Sequence, residues 1–204
     1  MKDNEGIKPV EAQTIRSFIA IELTDAVKSE LHKIQAELKL PGHTFVKWVT
    51  PEGMHLTLKF LGNISIQKVA DITKVIENAS QEACAFYLTI GGLGVFPNFR
   101  KPRVLWVGVG GEVEKLVMLQ QRIDEGLKPL GFIPETRPFA PHLTLARLRE
   151  GTAADKLREF GDMVAHRPET QDYEMAVTNV SLMRSQLFST GAVYSCLTNV
   201  ELKR

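Results

Sequence analysis

Long apolar runs are missing from this sequence. No segment approaches the roughly 20 apolar residues that a membrane-spanning helix needs, and the polar opening MKDNEGIKPVEAQ does not read as a secretory signal. Cysteine is scarce. Cys84 and Cys196 lie in segments that read as a helix end and a strand, so two reduced thiols in a cytoplasmic protein are expected rather than a disulfide framework. A dominant charge is lacking too. Lys plus Arg number 25 against 24 Asp plus Glu, a formal net charge of +1, which excludes a surface that coats a polyanion. A nucleic-acid partner would be gripped locally.

What remains is an ordinary globular composition, 44% apolar and 24% charged over 204 residues, enough for one domain or two associated lobes. Residues 1–13 carry Gly6 and Pro9 without periodicity and are expected to form a flexible tail, with a single domain over 14–204. RSFIAIEL (16–23) has a strand pattern, Thr24-Asp25 offers a helix N-cap, and Pro41-Gly42 ends the helix that follows. FVKWV and MHLTLKFLG read as strands, 67–83 as an amphipathic helix, and FYLTIGGLGVF as a strand interrupted by glycines. The pattern then begins again. RVLWVGVG is a strand, 112–130 a helix, FAPHLTLARL a strand and 153–163 a short helix; 172–185 and 192–202 are strands around a turn near Gly191. Strands and helices alternate, but the spacing also allows antiparallel pairs, so α+β suits the chain as well as α/β.

The tetrapeptide H-L-T-L occurs twice, at His55 and at His142. His55 follows Arg16, and His142 follows Arg103, by the same 39 residues. With five histidines in the chain a single H-x-T is an unremarkable accident, but two identical tetrapeptides in matched register imply an internal duplication. Along a strand, residues two apart share a face, so His55 with Thr57, and His142 with Thr144, point one way while their leucines point to a core. Two imidazoles and two hydroxyls around one cavity suit a phosphodiester. One histidine can activate water while the other protonates the leaving oxygen, and the hydroxyls can hold non-bridging oxygens. Neither role requires a metal or another cofactor.

Other candidates are weaker. GVGGEV (108–113) has Val113 where a dinucleotide loop needs its last glycine, and GGLG (91–94) lacks the Lys-Ser/Thr of a P-loop, so both read as bulges or turns. Trp48, Trp106 and Phe139 could stack on a base, although an aromatic in an apolar strand is more often core. Arg147, just past the second motif, could pair with phosphate. His32, His43 and His166 read as surface residues on a helix, a loop and a polar connection. No carboxylate or cysteine sits at ligand spacing beside His55 or His142, so no metal site is expected.

At these residues the chain resembles the LigT-like RNA 2',3'-cyclic phosphodiesterases of the two-histidine phosphoesterase superfamily. RSFIAIEL, VKWVTPEGMHLTLKFLG, PRVLWVGV, RPFAPHLTLAR and LMRSQLFSTGAVYSCL carry the resemblance, from about residue 15 to the end. It implies a bilobed α+β fold of two pseudo-symmetric antiparallel sheets with a central cleft, in which the lobes need not follow the sequence halves. It also implies opening of a terminal RNA 2',3'-cyclic phosphate to a 2'-phosphate, by a monomer without metal. His55 would donate a proton to the leaving 3'-oxygen, His142 would accept one from water, and Thr57, Thr144 and Arg147 would hold the phosphate. The expected partner is the 3' end of an RNA, not a membrane. Two rival readings stay open: 2'-5' ligation of RNA halves by the reverse reaction, and a non-catalytic RNA-end binding module.

Overall fold

The computed structural model describes residues 13–167, 171–188 and 191–203. The expected tail therefore lies, up to residue 12, outside the described residues; Gln13 is already tied down, its carbonyl accepting from Ile66 N at 3.0 Å. Nine strands and four helices follow: β1 (Thr14–Glu22), α1 (Asp25–Leu38), β2 (Val46–Trp48), β3 (His55–Ser65), α2 (Val69–Gln81), β4 (Phe86–Phe96), β5 (Val104–Gly111), α3 (Val113–Leu127), β6 (His142–Leu148), α4 (Ala154–Ala165), β7 (Tyr173–Val177), β8 (Asn179–Phe188) and β9 (Gly191–Glu201).

Local chemistry explains the helices. Thr24 caps α1 by accepting from Val27 N, and Val27, Leu31, Ile34 and Leu38 bury one face at helical spacing. Ile72 and Ile76 do the same for α2, Leu116, Leu119, Ile123 and Leu127 for α3, and Leu157, Phe160 and Val164 for α4.

The strands form two sheets, in the orders β3-β1-β8-β9 and β2-β6-β5-β4-β7, with antiparallel pairing throughout. This is the α+β, bilobed arrangement. The lobes do not follow the sequence halves, for β4 joins the second sheet while β8 and β9 complete the first. Leaving aside β2, the order β3-β1-β8-β9 is mirrored by β6-β5-β4-β7.

Two expectations need correction. Residues 172–185 are not one strand. β7 pairs with β4 in the second sheet, the chain crosses at Thr178, and β8 pairs with β1 in the first. The apolar alternation slips by one residue between Val177 and Val180, but a bulge in one continuous strand would leave the same trace, so periodicity alone does not reveal the crossing. The matched register counted from Arg16 and Arg103 is out by one residue in the sheets. His55 lies opposite Glu22 and His142 opposite Gly108, separations of 33 and 34 residues, so the segment joining β5 to β6 holds one residue more.

Leu56, Leu58, Leu143 and Leu145, the leucines of the two tetrapeptides, are all buried in one hydrophobic core shared by both sheets and the helices. β3 and β6 pack against each other where the sheets meet, which fixes where their opposite faces go.

Candidate active site

β3 and β6 each begin on their histidine, and their first seven residues bury in the same sequence. His and Thr are half-buried and the two leucines buried; a fifth residue is also buried, the sixth exposed and the seventh buried. A bulge makes this possible. Leu58 in β3 and Leu145 in β6 each lack a cross-strand partner in their pairings with β1 and β5. In a regular strand the residue five beyond the histidine would point away from it. The bulge turns two successive residues inward, Leu58 with Lys59 and Leu145 with Ala146, and returns the next one to the histidine face. Phe60 on β3, 68% exposed, and Arg147 on β6 therefore share the faces of His55 and His142.

The buried Gln35 of α1 holds the β6 bulge. Its amide donates to Leu145 O at 2.9 Å and to Val49 O at 2.7 Å, while Val49 N also donates to Leu145 O at 2.9 Å. In β3 the inward residue is a cation. Lys59 forms an ion pair with Asp124 of α3 at 2.5 Å and donates to Ile133 O at 2.8 Å, so the buried charge is satisfied.

The two imidazoles are anchored alike. His142 Nδ1 lies 2.8 Å from the carbonyl of Ala140, two residues upstream. A carbonyl only accepts, so Nδ1 carries the proton and Nε2 is the nitrogen left for other partners. His55 is hydrogen-bonded to the backbone of Gly53, again two residues upstream.

Their surroundings differ. The ring of His55 stacks on Phe18 at 4.5 Å and meets the edge of Tyr194 at 5.0 Å. Burial in this aromatic box pushes its pKa down to about 4; the Gly53 hydrogen bond and the Glu22 carboxylate oppose the shift without cancelling it. Glu22, directly opposite His55, is itself oriented: Ser181 Oγ donates to it at 2.5 Å and Asn199 Nδ2 donates to Ser181 Oγ at 2.8 Å. His142 instead meets Phe96 at 5.1 Å and Trp106 at 6.5 Å, and the residue opposite it is Gly108.

Thr57 and Thr144 are half-buried on the histidine faces. Among the aromatic candidates, Trp106 lies beside His142, whereas Trp48 packs on the core beneath Lys39 and Phe139 packs against the core. His43 is not a surface residue: its ring packs against Phe45 at 5.3 Å and Phe160 at 5.7 Å, drawn inward by the aromatic cluster over α4. His32 and His166 are exposed. GGLG carries the β4 bulge, and GVGG is the end of β5 before α3. Cys84 and Cys196 are free thiols. Among the described residues no three His, Cys, Asp or Glu side chains converge as metal ligands. The motif reading missed Phe60, Glu22 and the Phe18–Tyr194 box. The signal for Phe60 was its place five beyond His55, the same place that Arg147 holds beyond His142.

Known proteins share the sequence and the fold of this chain. The family model described as the 2'-5' RNA ligase superfamily matches residues 21–187. A protein of Methanothermobacter thermautotrophicus named RNA 2',3'-cyclic phosphodiesterase is 35% identical over 181 residues, 89% of this chain and 95% of that one. One of the same name from Archaeoglobus fulgidus is 34% identical, covering 90% and 98%. Among solved structures, TT0787 of Thermus thermophilus superposes with a TM-score of 0.76 at 28% identity, over 92% of this chain and 98% of its own. E. coli LigT complexed with 3'-AMP gives 0.75 at 25% identity, over 94% and 100%. With its twin histidine strands and a family match that spans most of its length, the chain belongs to the 2'-5' RNA ligase superfamily.

Proposed function

We propose that this protein hydrolyses RNA 2',3'-cyclic phosphate termini to 2'-phosphomonoesters by paired-histidine acid–base catalysis, without a metal. The observation that carries the reading is the twin anchoring: two imidazoles, each held by the backbone two residues upstream, on strands whose bulges return Phe60 and Arg147 to the histidine faces. The relatives named RNA 2',3'-cyclic phosphodiesterase support the same substrate class.

In this mechanism His142 Nε2 accepts a proton from water as it attacks phosphorus, and His55 Nε2 gives one to the departing 3'-oxygen. Thr57 and Thr144 hydrogen-bond non-bridging oxygens, and Arg147 balances the charge that builds on them. Phe60 offers a ring on which the terminal base stacks. Ligand-free, burial keeps His55 neutral at pH 7, so the donor proton arrives with the substrate: the phosphodiester anion and Glu22 both favour the imidazolium. A 2',3'-cyclic phosphate requires a 2'-hydroxyl, which restricts the substrate to RNA. We further propose that the two lobes arose by internal duplication and that the protein acts as a cytoplasmic monomer, to which two free thiols are suited.

The test is incubation of a short RNA bearing a 2',3'-cyclic phosphate with the protein in chelator, followed by mass spectrometry and a 3'-phosphate-specific phosphatase. Gain of one water with a phosphatase-resistant phosphate is expected. Joined RNA halves would assign the reverse, ligating reaction, and binding without turnover would reduce the site to a phosphate clamp.

A further inference from the structure

Cations are distributed unevenly over this nearly neutral protein. Apart from Lys59, every lysine or arginine with an ion-pair partner among the described residues lies on a helix or within two residues of its end. Other cations, Arg16 and Arg184 among them, have no acidic partner among the described residues, but one end of the second sheet gathers several. Lys47, Arg100, Lys101, Arg103, Arg147 and Arg149 are all exposed there, and none has an acidic partner among the described residues.

Backbone pairing collects them. Lys47 lies opposite Arg147 on the neighbouring strand, so the two side chains share a face, and Arg147 also lies opposite Val104 at the start of β5. Arg149 N donates to Phe45 O at 2.8 Å, and the Arg103 guanidinium donates to Arg149 O at 3.2 Å. The β4–β5 turn that bears Arg100, Lys101 and Arg103 is preorganised. Asn98 Oδ1 accepts from both Arg100 N and Lys101 N at 3.1 Å, and Arg103 N closes the turn on Phe96 O at 2.7 Å. The turn also rests on α4 at Gly161, where a Cβ would lie 1.8 Å from Phe99 O, so any side chain there would push it away.

The patch is continuous with the histidine site. Phe96, at the start of the turn, meets the ring of His142, and Arg147 lies on the strand that His142 begins. Phe99, 39% exposed, adds an aromatic face between the cations. Cations carried on an ordered turn and its neighbouring strands, interleaved with accessible aromatic rings, suit single-stranded nucleic acid: charges follow the backbone while bases stack.

We propose that this end of the second sheet binds the RNA strand leading into the cyclic terminus. Phosphates upstream of the reacting one lie on Lys47, Arg149, Arg103 and the Arg100–Lys101 pair, and a base packs on Phe99. The inference rests on the RNA-end reading of the histidine site. The small patch, in a protein of net charge +1, limits the track to a few nucleotides.

The test compares the double variant Arg100→Ala/Lys101→Ala with the wild type on two substrates, a nucleoside 2',3'-cyclic phosphate and an RNA oligonucleotide with the same cyclic end. For the oligonucleotide, the variant should raise KM about tenfold at low salt with kcat unchanged. The slope of log kcat/KM against log salt should flatten by ~1.4, at about 0.7 for each phosphate that is no longer neutralised. The nucleoside should react as before. Unchanged oligonucleotide kinetics and slope would overturn the track while leaving the histidine site intact. If the wild type opens neither substrate, the catalytic reading fails by itself. Fluorescence anisotropy with an RNA ending in a plain 3'-hydroxyl then decides the track: weaker, less salt-dependent binding by the variant supports it, and equal binding refutes it.

Discussion

The strand that begins at His55 and the strand that begins at His142 share a tetrapeptide, a bulge and a burial sequence, yet their histidines sit in different chemistry. Besides the Phe18–Tyr194 box around His55, three paired positions differ. Opposite the histidine stands Glu22 in one lobe and Gly108 in the other. Opposite the threonine stands Ala20 in one and Trp106 in the other. Five residues on, Phe60 in one lobe answers Arg147 in the other. The scaffold and the histidine–threonine pairs are alike on the two sides, and the residues around them are not. In the proposed mechanism a near-symmetric site thus acts on an asymmetric substrate, with an aromatic ring at one lobe for a base and a guanidinium at the other for a phosphate.

Removing either imidazole tests what the lobes share. His55→Ala and His142→Ala should each lower kcat about 10²–10⁴-fold while the protein stays folded; a fully active variant would remove that histidine from the mechanism. The next effect tests what they do not share. Arg147→Ala should reduce kcat about 10²-fold, as loss of a donor to a developing charge does. Phe60→Ala should cost about tenfold, expressed mainly in KM, since one stacked base contributes ~1–3 kcal/mol. Equal effects on the same parameter would erase the distinction between the lobes.

The aromatic box provides a subtler contrast. The acidic limb of the kcat/KM profile should fall near pH 4, where free His55 titrates, and Tyr194→Ala should move it up toward the ordinary histidine value of about 6.5. An unmoved limb would detach it from His55. The same shift acts on stability. Because the folded protein binds this proton less readily than the unfolded chain, stability present above pH 6.5 is lost as pH falls toward 4, by up to about 3 kcal/mol. Denaturant titrations should show His55→Phe flattening that slope, with His142→Phe as the control. Smallest of all, Glu22→Gln should lower the acidic limb further by a fraction of a pH unit, because the Glu22 carboxylate favours the imidazolium. A rise instead would show that Glu22 does not act through charge.

Much of this was legible in the sequence because its signals are periodic. Alternation put His55 with Thr57 and His142 with Thr144, and the helix faces followed from apolar spacing. The misreadings occur where period two stops being informative. At Thr178 a strand-like run continues through a change of sheet. At His43 a polar loop residue was drawn into an aromatic cluster by a helix more than a hundred residues away. Glu22 and Tyr194 come to His55 only through strand pairing and ring packing across the first sheet, and no local pattern records such neighbours.

The bulges at Leu58 and Leu145 carry a consequence for any attempt to rebuild this site. Each is a phase slip in a two-beat rhythm: residues before it keep one parity, residues after it the other. Parity alone would point an engineer to the fourth residue after the histidine, Lys59 or Ala146, both of which face the interior. Deleting one leucine would leave both histidines and both threonines in the sequence and send either Phe60 or Arg147 to the wrong side. Transplanting the β6 phase takes Gln35 as well, because its amide, from a helix 110 residues earlier in the chain, holds the slipped carbonyl. The unit that can be moved between proteins is strand plus clasp, not the motif.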